Sequence, residues 1–143
     1  LFGALPMVDA RGDAMDRAET VTLFNDMCLL APGTLIDPAI AWQPIDAHTV
    51  RAHFRNGAHT ITAELMFNEE GWLTNFVSDD RSRASADGKS FTPLRFSTPL
   101  RDYRAFGALT LAAHGEGRWH LPDGEFVYGE FHLDEATINL PPR

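Results

Sequence analysis

Histidine is the residue type in this sequence best suited to binding a metal ion. The chain has 143 residues and six histidines: His48, His53, His59, His114, His120 and His132. None lies in an H-x-H or H-E-x-x-H motif, whereas a zinc site needs three or four ligands that converge on one point. The best trio is His114, Glu116 and His120, which share one parity of a predicted strand. We expect strand histidines that face solvent, and neither a metal site nor a cofactor.

The sequence offers no obvious nucleophile. It lacks a G-x-S-x-G motif, and its single cysteine, Cys28, falls on the apolar side of a predicted helix, where a thiol is normally inert. A single cysteine also excludes an internal disulfide. The run Gly115-Glu116-Gly117 lacks the third glycine and the following helix of a dinucleotide-binding loop, so we interpret it as flexibility within a strand. We therefore predict no catalytic residue.

The densest charged cluster is Asp79-Asp80-Arg81 with Arg83. Two carboxylates act as acid and base only where their environments separate their pKa values, and a solvated strand end with local ion pairs is the more common arrangement. A second interpretation is that polar side chains point into a hollow and orient the headgroup of a ligand. That set would be Arg81, Asp102, Tyr103 and Glu116.

Aromatic residues supply most of the bulk for an apolar interior. A strongly curved sheet with one covering helix often leaves a hollow lined by such side chains, where apolar ligands bind. We therefore add Trp119 and Tyr128 to the predicted ligand-binding residues. The other large aromatic residues assigned to the interior are Trp42, Trp72, Phe76, Phe96 and Phe126.

The first element that positions these residues is an amphipathic helix from Asp16 to Ala31. Its apolar residues recur at helical spacing, and Asp16 followed by Glu19 resembles a capping box. Ala31-Pro32-Gly33 predicts the end of the helix. The residues expected on its buried line are Val21, Phe24, Cys28 and Ala31.

After Trp42 the apolar period changes to two, and turn signals follow about every ten residues, which is typical of strands joined by hairpins. Asn56-Gly57 predicts a type I′ turn, and Asp87-Gly88 and Pro122-Asp123-Gly124 predict further turns. A last short strand is expected near residues 138–140. The predicted fold is therefore α+β: a curved antiparallel β-meander, a half-barrel of about seven or eight strands, with one N-terminal amphipathic helix.

Composition limits the class of protein. With 44% apolar and 22% charged residues, residues 1–143 are expected to form a single folded domain. The net charge of −8 disfavours nucleic acid as a partner, and no apolar stretch is long enough to span a membrane. The chain starts at Leu1 without a methionine, so we expect it to be a piece of a longer protein.

The order of several short segments resembles an uncharacterised bacterial family classed as a domain of unknown function. These segments are VDARG at 8–12, AWQPID at 41–46, FNEEG at 67–71, Asp80-Arg81, residues 100–103 and WHLPDGEFVY at 119–128. The resemblance implies that a membrane-proximal or other N-terminal region precedes the domain. The family pattern favours Trp where this chain has Gly129. The hairpin layout is also similar, more weakly, to the lipoprotein-carrier fold, a curved sheet that holds acyl chains.

These observations favour a non-catalytic domain that binds a lipid, such as a long-chain fatty acid or phospholipid, or another apolar small molecule. One alternative is a small enzyme of the cyclase or isomerase kind, with Asp79 or Asp102 beside a histidine in a cone-shaped pocket. Another is a structural interaction module that presents a sheet edge to a partner. An apolar pocket favours the first, a buried Asp–His pair the second and a filled interior the third.

Overall fold

A computed structural model describes residues 12–137. One α-helix, α1 (Asp13–Leu30), is followed by a short 3₁₀-helix (Pro32–Ile36). Nine strands complete the described part of the chain. They are β1 (Ile40–Pro44), β2 (Thr49–Asn56), β3 (His59–Phe67), β4 (Leu73–Ser78), β5 (Ser82–Ala84), β6 (Phe91–Pro93), β7 (Phe96–Phe106), β8 (Leu109–Leu121) and β9 (Gly124–His132).

Seven of the strands form one antiparallel sheet in the order β1-β2-β3-β4-β7-β8-β9. Strands β5 and β6, which lie between β4 and β7 along the chain, form a separate two-stranded sheet. The predicted α+β meander is thus confirmed, and the sheet is open because β1 and β9 are its edges. The strand expected near 138–140 lies outside the described residues. Among residues 12–137, no helix is long and apolar enough to cross a membrane.

The start of α1 differs from the prediction. The helix begins at Asp13, three residues before the expected Asp16, and Gly12 stands at the N-cap without a side-chain capping bond. The capping box expected from Asp16 and Glu19 is therefore wrong. Asp13 and Asp16 both lie in the first turn, where their negative charges interact favourably with the helix dipole. The helix ends at Leu30, close to the expected stop at Pro32.

One side of the sheet, called here the inner face, packs on α1. Val21, Phe24 and Cys28 are buried there as predicted, whereas Leu23 and Leu30 remain 45% and 47% exposed. The helix contacts both β3 and β8, which are separated by two strands. Neighbouring strands are about 4.8 Å apart, so the sheet must bend around a helix about 10 Å wide to bring both strands into contact with it.

A row of aromatic rings crosses the inner face. Phe24 of α1 stacks on Phe54 at 5.0 Å between ring centroids and meets the edge of Phe76 at 5.9 Å. Phe76 contacts Phe96 at 6.5 Å, and Phe96 contacts Trp119 at 5.6 Å. The row therefore connects β2, the helix, β4, β7 and β8. Aromatic pairs in such geometries stabilise a core by about 0.5–1.5 kcal/mol each beyond the area they bury.

The turn between β2 and β3 is shifted by one residue from the prediction. Asn56 pairs with His59, so the two turn residues are Gly57 and Ala58. Of these only Gly57 has a positive φ, 59°, which matches a type II′ turn and not the expected type I′ turn at Asn56-Gly57. The need for glycine at position 57 is the same in both types.

We expect Gly57→Ala to lower the free energy of unfolding by about 1 kcal/mol or more, because an L-residue resists the left-handed region. Gly33→Ala is the matched control, since a Cβ at either position meets nothing within 4 Å and only Gly57 has a positive φ. Chemical denaturation of both variants measures the difference. Equal stabilities would contradict the assigned turn.

Candidate functional site

A cavity of about 480 Å³ lies between the second half of α1 and strands β7 to β9. It is open to solvent on one side, and most of its surface is apolar. The helix contributes one wall and the end of β9 contributes the opposite wall. The lining residues used below are Asn25, Asp26, Leu29, Leu30, Phe96, Thr98, Gly117, Tyr128, Glu130, Phe131 and Leu133.

Two glycines of β8 determine the shape of the sheet wall. A Cβ at Gly115 would collide with the ring of Phe131 and lie 2.8 Å from Leu100 Cδ2, and a Cβ at Gly117 would lie 2.8 Å from Tyr128 Cζ. The interpretation of these glycines as flexibility is therefore wrong. They leave room for two rings of β9 to lie flat over β8 and form the wall.

Two buried polar side chains line the cavity without a partner. Asn25 and Thr98 are only 7% and 3% exposed, and Asn25 Oδ1 and Thr98 Oγ1 have no hydrogen-bond partner among residues 12–137. A buried polar atom without a partner costs about 1–3 kcal/mol. Native proteins rarely leave such atoms unmatched. Both oxygens are themselves inaccessible to solvent, so a ligand in the cavity would bond them only after the side chain rotates towards it.

Arg81 joins two of the other predicted ligand-binding residues, Trp119 and Tyr128. Its guanidinium carbon lies 4.2 Å from the centre of the Phe96 ring and 5.1 Å from that of Trp119. Arg81 Nη1 donates a hydrogen bond to the Tyr128 hydroxyl at 2.7 Å. These cation–π contacts hold Tyr128 and Phe96, both of which line the cavity.

The rim of the cavity carries a carboxyl group at Asp26. The carboxylate of Glu130 turns to the other face of the sheet, where its Oε1 lies 2.9 Å from His114 Nε2. Burial raises the pKa of Asp26, and the positive charge of Arg81 lowers it in part. An anionic ligand would meet the Asp26 carboxyl group here, while Arg81 is already bonded to Tyr128. The charges at the rim thus favour a neutral ligand.

The structure places Tyr103 and Asp102 away from this cluster. Tyr103 stacks on Trp72 at 5.0 Å and donates its hydroxyl to the Leu73 carbonyl at 2.8 Å. Burial, with a smaller contribution from Cys28, raises the pKa of Tyr103 to about 12. Asp102 has a φ of 61° and its side chain is 69% exposed. The ligand-binding role assigned to these two residues stays a prediction.

Glu116 lies on the outer face of the sheet, opposite α1. Its Oε1 accepts from Arg101 Nη1 at 2.9 Å and its Oε2 from Arg118 Nη2 at 2.7 Å. The hydrogen bonds from Arg101 and Arg118 hold the pKa of Glu116 at about 2. Glu116 is therefore paired with Arg101 and Arg118 and does not contact Arg81.

The charged cluster at the end of β4 is divided among separate contacts. Asp79 accepts two hydrogen bonds at 2.8 Å from Arg95, and the Arg95 side chain lowers the pKa of Asp79. Asp80 Oδ2 accepts from the Thr62 amide at 2.6 Å and Asp80 Oδ1 lies 3.3 Å from Arg17. These contacts are those of a structured strand end, the more common of the two arrangements considered for this cluster.

Cys28 is buried as predicted, and burial raises the pKa of its thiol to about 12. A thiol with such a pKa is not a nucleophile at neutral pH. The trio His114, Glu116 and His120 is not brought together, since His120 Nε2 bonds Ser97 Oγ at 2.8 Å. His114 instead contacts Glu130 and His132 of β9.

Sequence comparison identifies the family. The model of a family of unknown function, DUF6544, matches residues 1–131. The protein belongs to this family. No curated protein and no solved structure matches the chain. The predicted resemblance to a family of unknown function is thus confirmed, and the similarity to the lipoprotein-carrier fold stays a prediction.

The DUF6544 match extends through Phe131 and so includes nearly all of the cavity lining. His132 and Leu133 lie just beyond it. The sequence predicts an apolar hollow with Tyr128 in its lining, but it does not identify Asn25 and Thr98, because these two residues carry no motif. The only feature of the sequence that could identify them is a polar residue at a position that the helix or strand pattern predicts to be buried.

We expect Gly117→Ala to lower the free energy of unfolding by about 1 kcal/mol, because the new methyl group overpacks against the Tyr128 ring. Gly129→Ala is the matched control: Gly129 pairs directly with Gly117, and a Cβ there meets nothing within 4 Å. Urea denaturation measures stability, and NMR resonances of the Tyr128 ring report its displacement. Identical stabilities and unchanged ring resonances would contradict this packing.

The depressed pKa of Glu116 predicts a dependence on pH. A carboxyl whose pKa is lower in the folded state stabilises the protein above its unfolded pKa, and the stabilisation is lost as the pH falls through the folded value. For Glu116 this window runs from 4.5 down to about 2. In Glu116→Gln the free energy of unfolding should therefore fall less than in the parent protein as the pH is lowered through this window. Urea denaturation at several pH values measures the difference. Glu70→Gln, in an exposed turn, should leave the profile unchanged.

Proposed function

We propose that the protein is a non-catalytic binding domain that holds an apolar small molecule with a hydrogen-bonding group. The binding site is the cavity between α1 and strands β7 to β9. The observation that carries this proposal is an apolar cavity of about 480 Å³ with two unpaired buried oxygens in its lining among the described residues. Ligand pockets generally have volumes of about 300–1,000 Å³.

The apolar residues that line the cavity determine which apolar group the ligand carries. Leu29 and Leu30 face the aromatic and aliphatic residues Phe96, Phe131 and Leu133 across the cavity. Each methylene buried there contributes about 0.8 kcal/mol. A chain of a dozen or more carbons can therefore reach micromolar affinity after the cost of immobilisation is subtracted.

The polar part of the ligand is set by Asn25 and Thr98. Asn25 Oδ1 accepts hydrogen bonds, and the Thr98 hydroxyl both donates and accepts. A ligand hydroxyl or amide can bond either side chain once that side chain rotates towards the cavity, whereas a carboxylate would only accept and would face the carboxyl group of Asp26 at the rim. We therefore propose long-chain alcohols or amides as the ligand class, ahead of the fatty acids that the sequence analysis favours.

The alternative of a small enzyme has less support. Asp79 is bonded to Arg95 and Asp102 lies beside Arg101. Among residues 12–137, the Asp–His ion pairs join His59 to Asp13 and Asp16 at the start of α1, far along the helix from Leu29 and Leu30. The two hydrogen bonds from Arg95 already hold the Asp79 carboxylate and lower its pKa, and His120 lies near enough to Asp79 to help lower it. A purely structural module would have a filled interior, which an open cavity of this size does not favour.

The test is a series of straight-chain alcohols from 8 to 16 carbons, with binding measured by displacement of a fluorescent apolar probe. Affinity should rise with chain length, and the matching carboxylates should bind more weakly than the alcohols. Native mass spectrometry of freshly purified protein checks for co-purified apolar molecules. Absence of binding at every length would contradict the proposal.

A matched pair of variants locates the site. Leu30→Glu places a charge at the cavity wall and should weaken alcohol binding about tenfold or more, because a carboxylate resists burial against an alkyl chain. Leu23→Glu is the control: Leu23 is on the same helix and equally exposed, but it does not line this cavity. Equal binding by the two variants would place the ligand elsewhere.

A further inference from the structure

Three side chains that no motif connects meet at the junction of β8 and β9. His114 pairs directly with His132 across the two strands, and Glu130 lies two residues before His132, on the same face. His114 is only 5% exposed, so its ring is held in place by its surroundings. Glu130 and His132 are half exposed or more and can adjust.

The three side chains are in mutual contact, with Nδ1 of His114 towards His132 and Nε2 of His114 towards Glu130. Nδ1 of His114 is 3.1 Å from Nδ1 of His132. Glu130 Oε1 is 2.9 Å from Nε2 of His114 and 3.5 Å from Nε2 of His132. One ligand atom from each residue can be chosen so that all three lie within 4.8 Å of one another. Ligands of a tetrahedral zinc ion with bonds of 2.0–2.1 Å are about 3.3 Å apart.

We propose that His114, Glu130 and His132 bind one zinc ion. Two imidazoles and a carboxylate are ligands that zinc prefers, and three protein ligands leave a fourth position for water. Only rotation of the two exposed side chains is needed, since the strand pairing fixes the backbone. The proposal replaces the expectation of no metal site, and it does not depend on the proposed binding of an apolar molecule.

The surroundings of His114 explain why the site is poorly satisfied without a cation. Both Arg101 Nη2 and Glu130 Oε1 approach Nε2 of His114. Arginine only donates hydrogen bonds and a carboxylate only accepts them, so one ring nitrogen cannot satisfy both. With zinc bound to Glu130 and the two rings, Arg101 keeps its bond to Glu116 at 2.9 Å. The positive charge of Arg101 opposes the ion, and its removal should strengthen zinc binding.

A bulge between β8 and β9 creates the site and hides it from sequence analysis. Near the turn, Trp119 pairs with Phe126, but the register shifts between Gly117 and Arg118. Tyr128 is the extra residue. Without it His114 would pair with Phe131, and His132 would lie on the opposite face, because a one-residue shift reverses the side chains of a strand.

The test is isothermal titration of the chelator-stripped protein, residues 1–143, with zinc chloride. We expect one ion per chain with micromolar affinity, and a melting temperature that rises with zinc and returns on chelation. His132→Ala and Glu130→Gln should each weaken binding about tenfold or more. Arg101→Gln should strengthen it. His120→Ala is the control, since His120 lies on the same face of β8 and bonds Ser97.

The variants change exposed residues, so a thermal melt of each metal-free protein confirms that it folds. Cobalt provides a second readout, because its visible spectrum reports tetrahedral nitrogen and oxygen ligands and should be lost in His132→Ala. Zinc binding weaker than millimolar in the parent protein would overturn the proposal. Binding that is equally strong in His132→Ala and Glu130→Gln would overturn it as well.

Discussion

The contact on which the rest of the structure depends is the insertion of Phe24 between Phe54 and Phe76. The Phe24 ring is completely buried and contacts one ring by stacking and the other by its edge. These two partners belong to β2 and β4, so a single side chain fixes α1 against two strands. The contact with Trp42 at 6.4 Å brings β1 into the same cluster. The position of the helix therefore follows from the packing of one ring.

The position of the helix decides where the interior is filled and where it is open. Around Phe24 the core is closed, because Ile61, Leu65 and Phe76 are fully buried. At the end that carries Leu29 and Leu30, the helix approaches β8 and β9. Here glycines of β8 form part of the cavity wall, and the rings of β9 lie over them. The space left at this end is the cavity. A single covering helix on a seven-stranded sheet makes such an incompletely covered end a direct consequence of the architecture.

The sequence predicts the elements well because local rules decide them. Helical spacing identifies Val21, Phe24 and Cys28 as core, and the alternation of β2 and β3 predicts their pairing. The turn at Gly57 shows the limit of such rules: the glycine is recognised, but the partner of Asn56 is decided by packing across the sheet. Tyr103 and Glu116 illustrate the same limit for the candidate site, since neighbouring strands determine which face and which partners each side chain finds. Arg81 meets Trp119 and Tyr128 only because the loop after β4 extends past β7 to β8 and β9.

The bulge at Tyr128 links the two faces of the sheet. On the inner face it allows the Tyr128 ring to cover Gly117 and sets Phe131 against Gly115. On the outer face it aligns His132 with His114 and Glu130 with Glu116. In a regular hairpin Phe131 would turn outward and the charged residues would turn towards the helix, where burial of an unpaired charge is strongly unfavourable. One inserted residue thus keeps the cavity wall apolar and collects the histidines on the opposite surface, so both features depend on the same local irregularity.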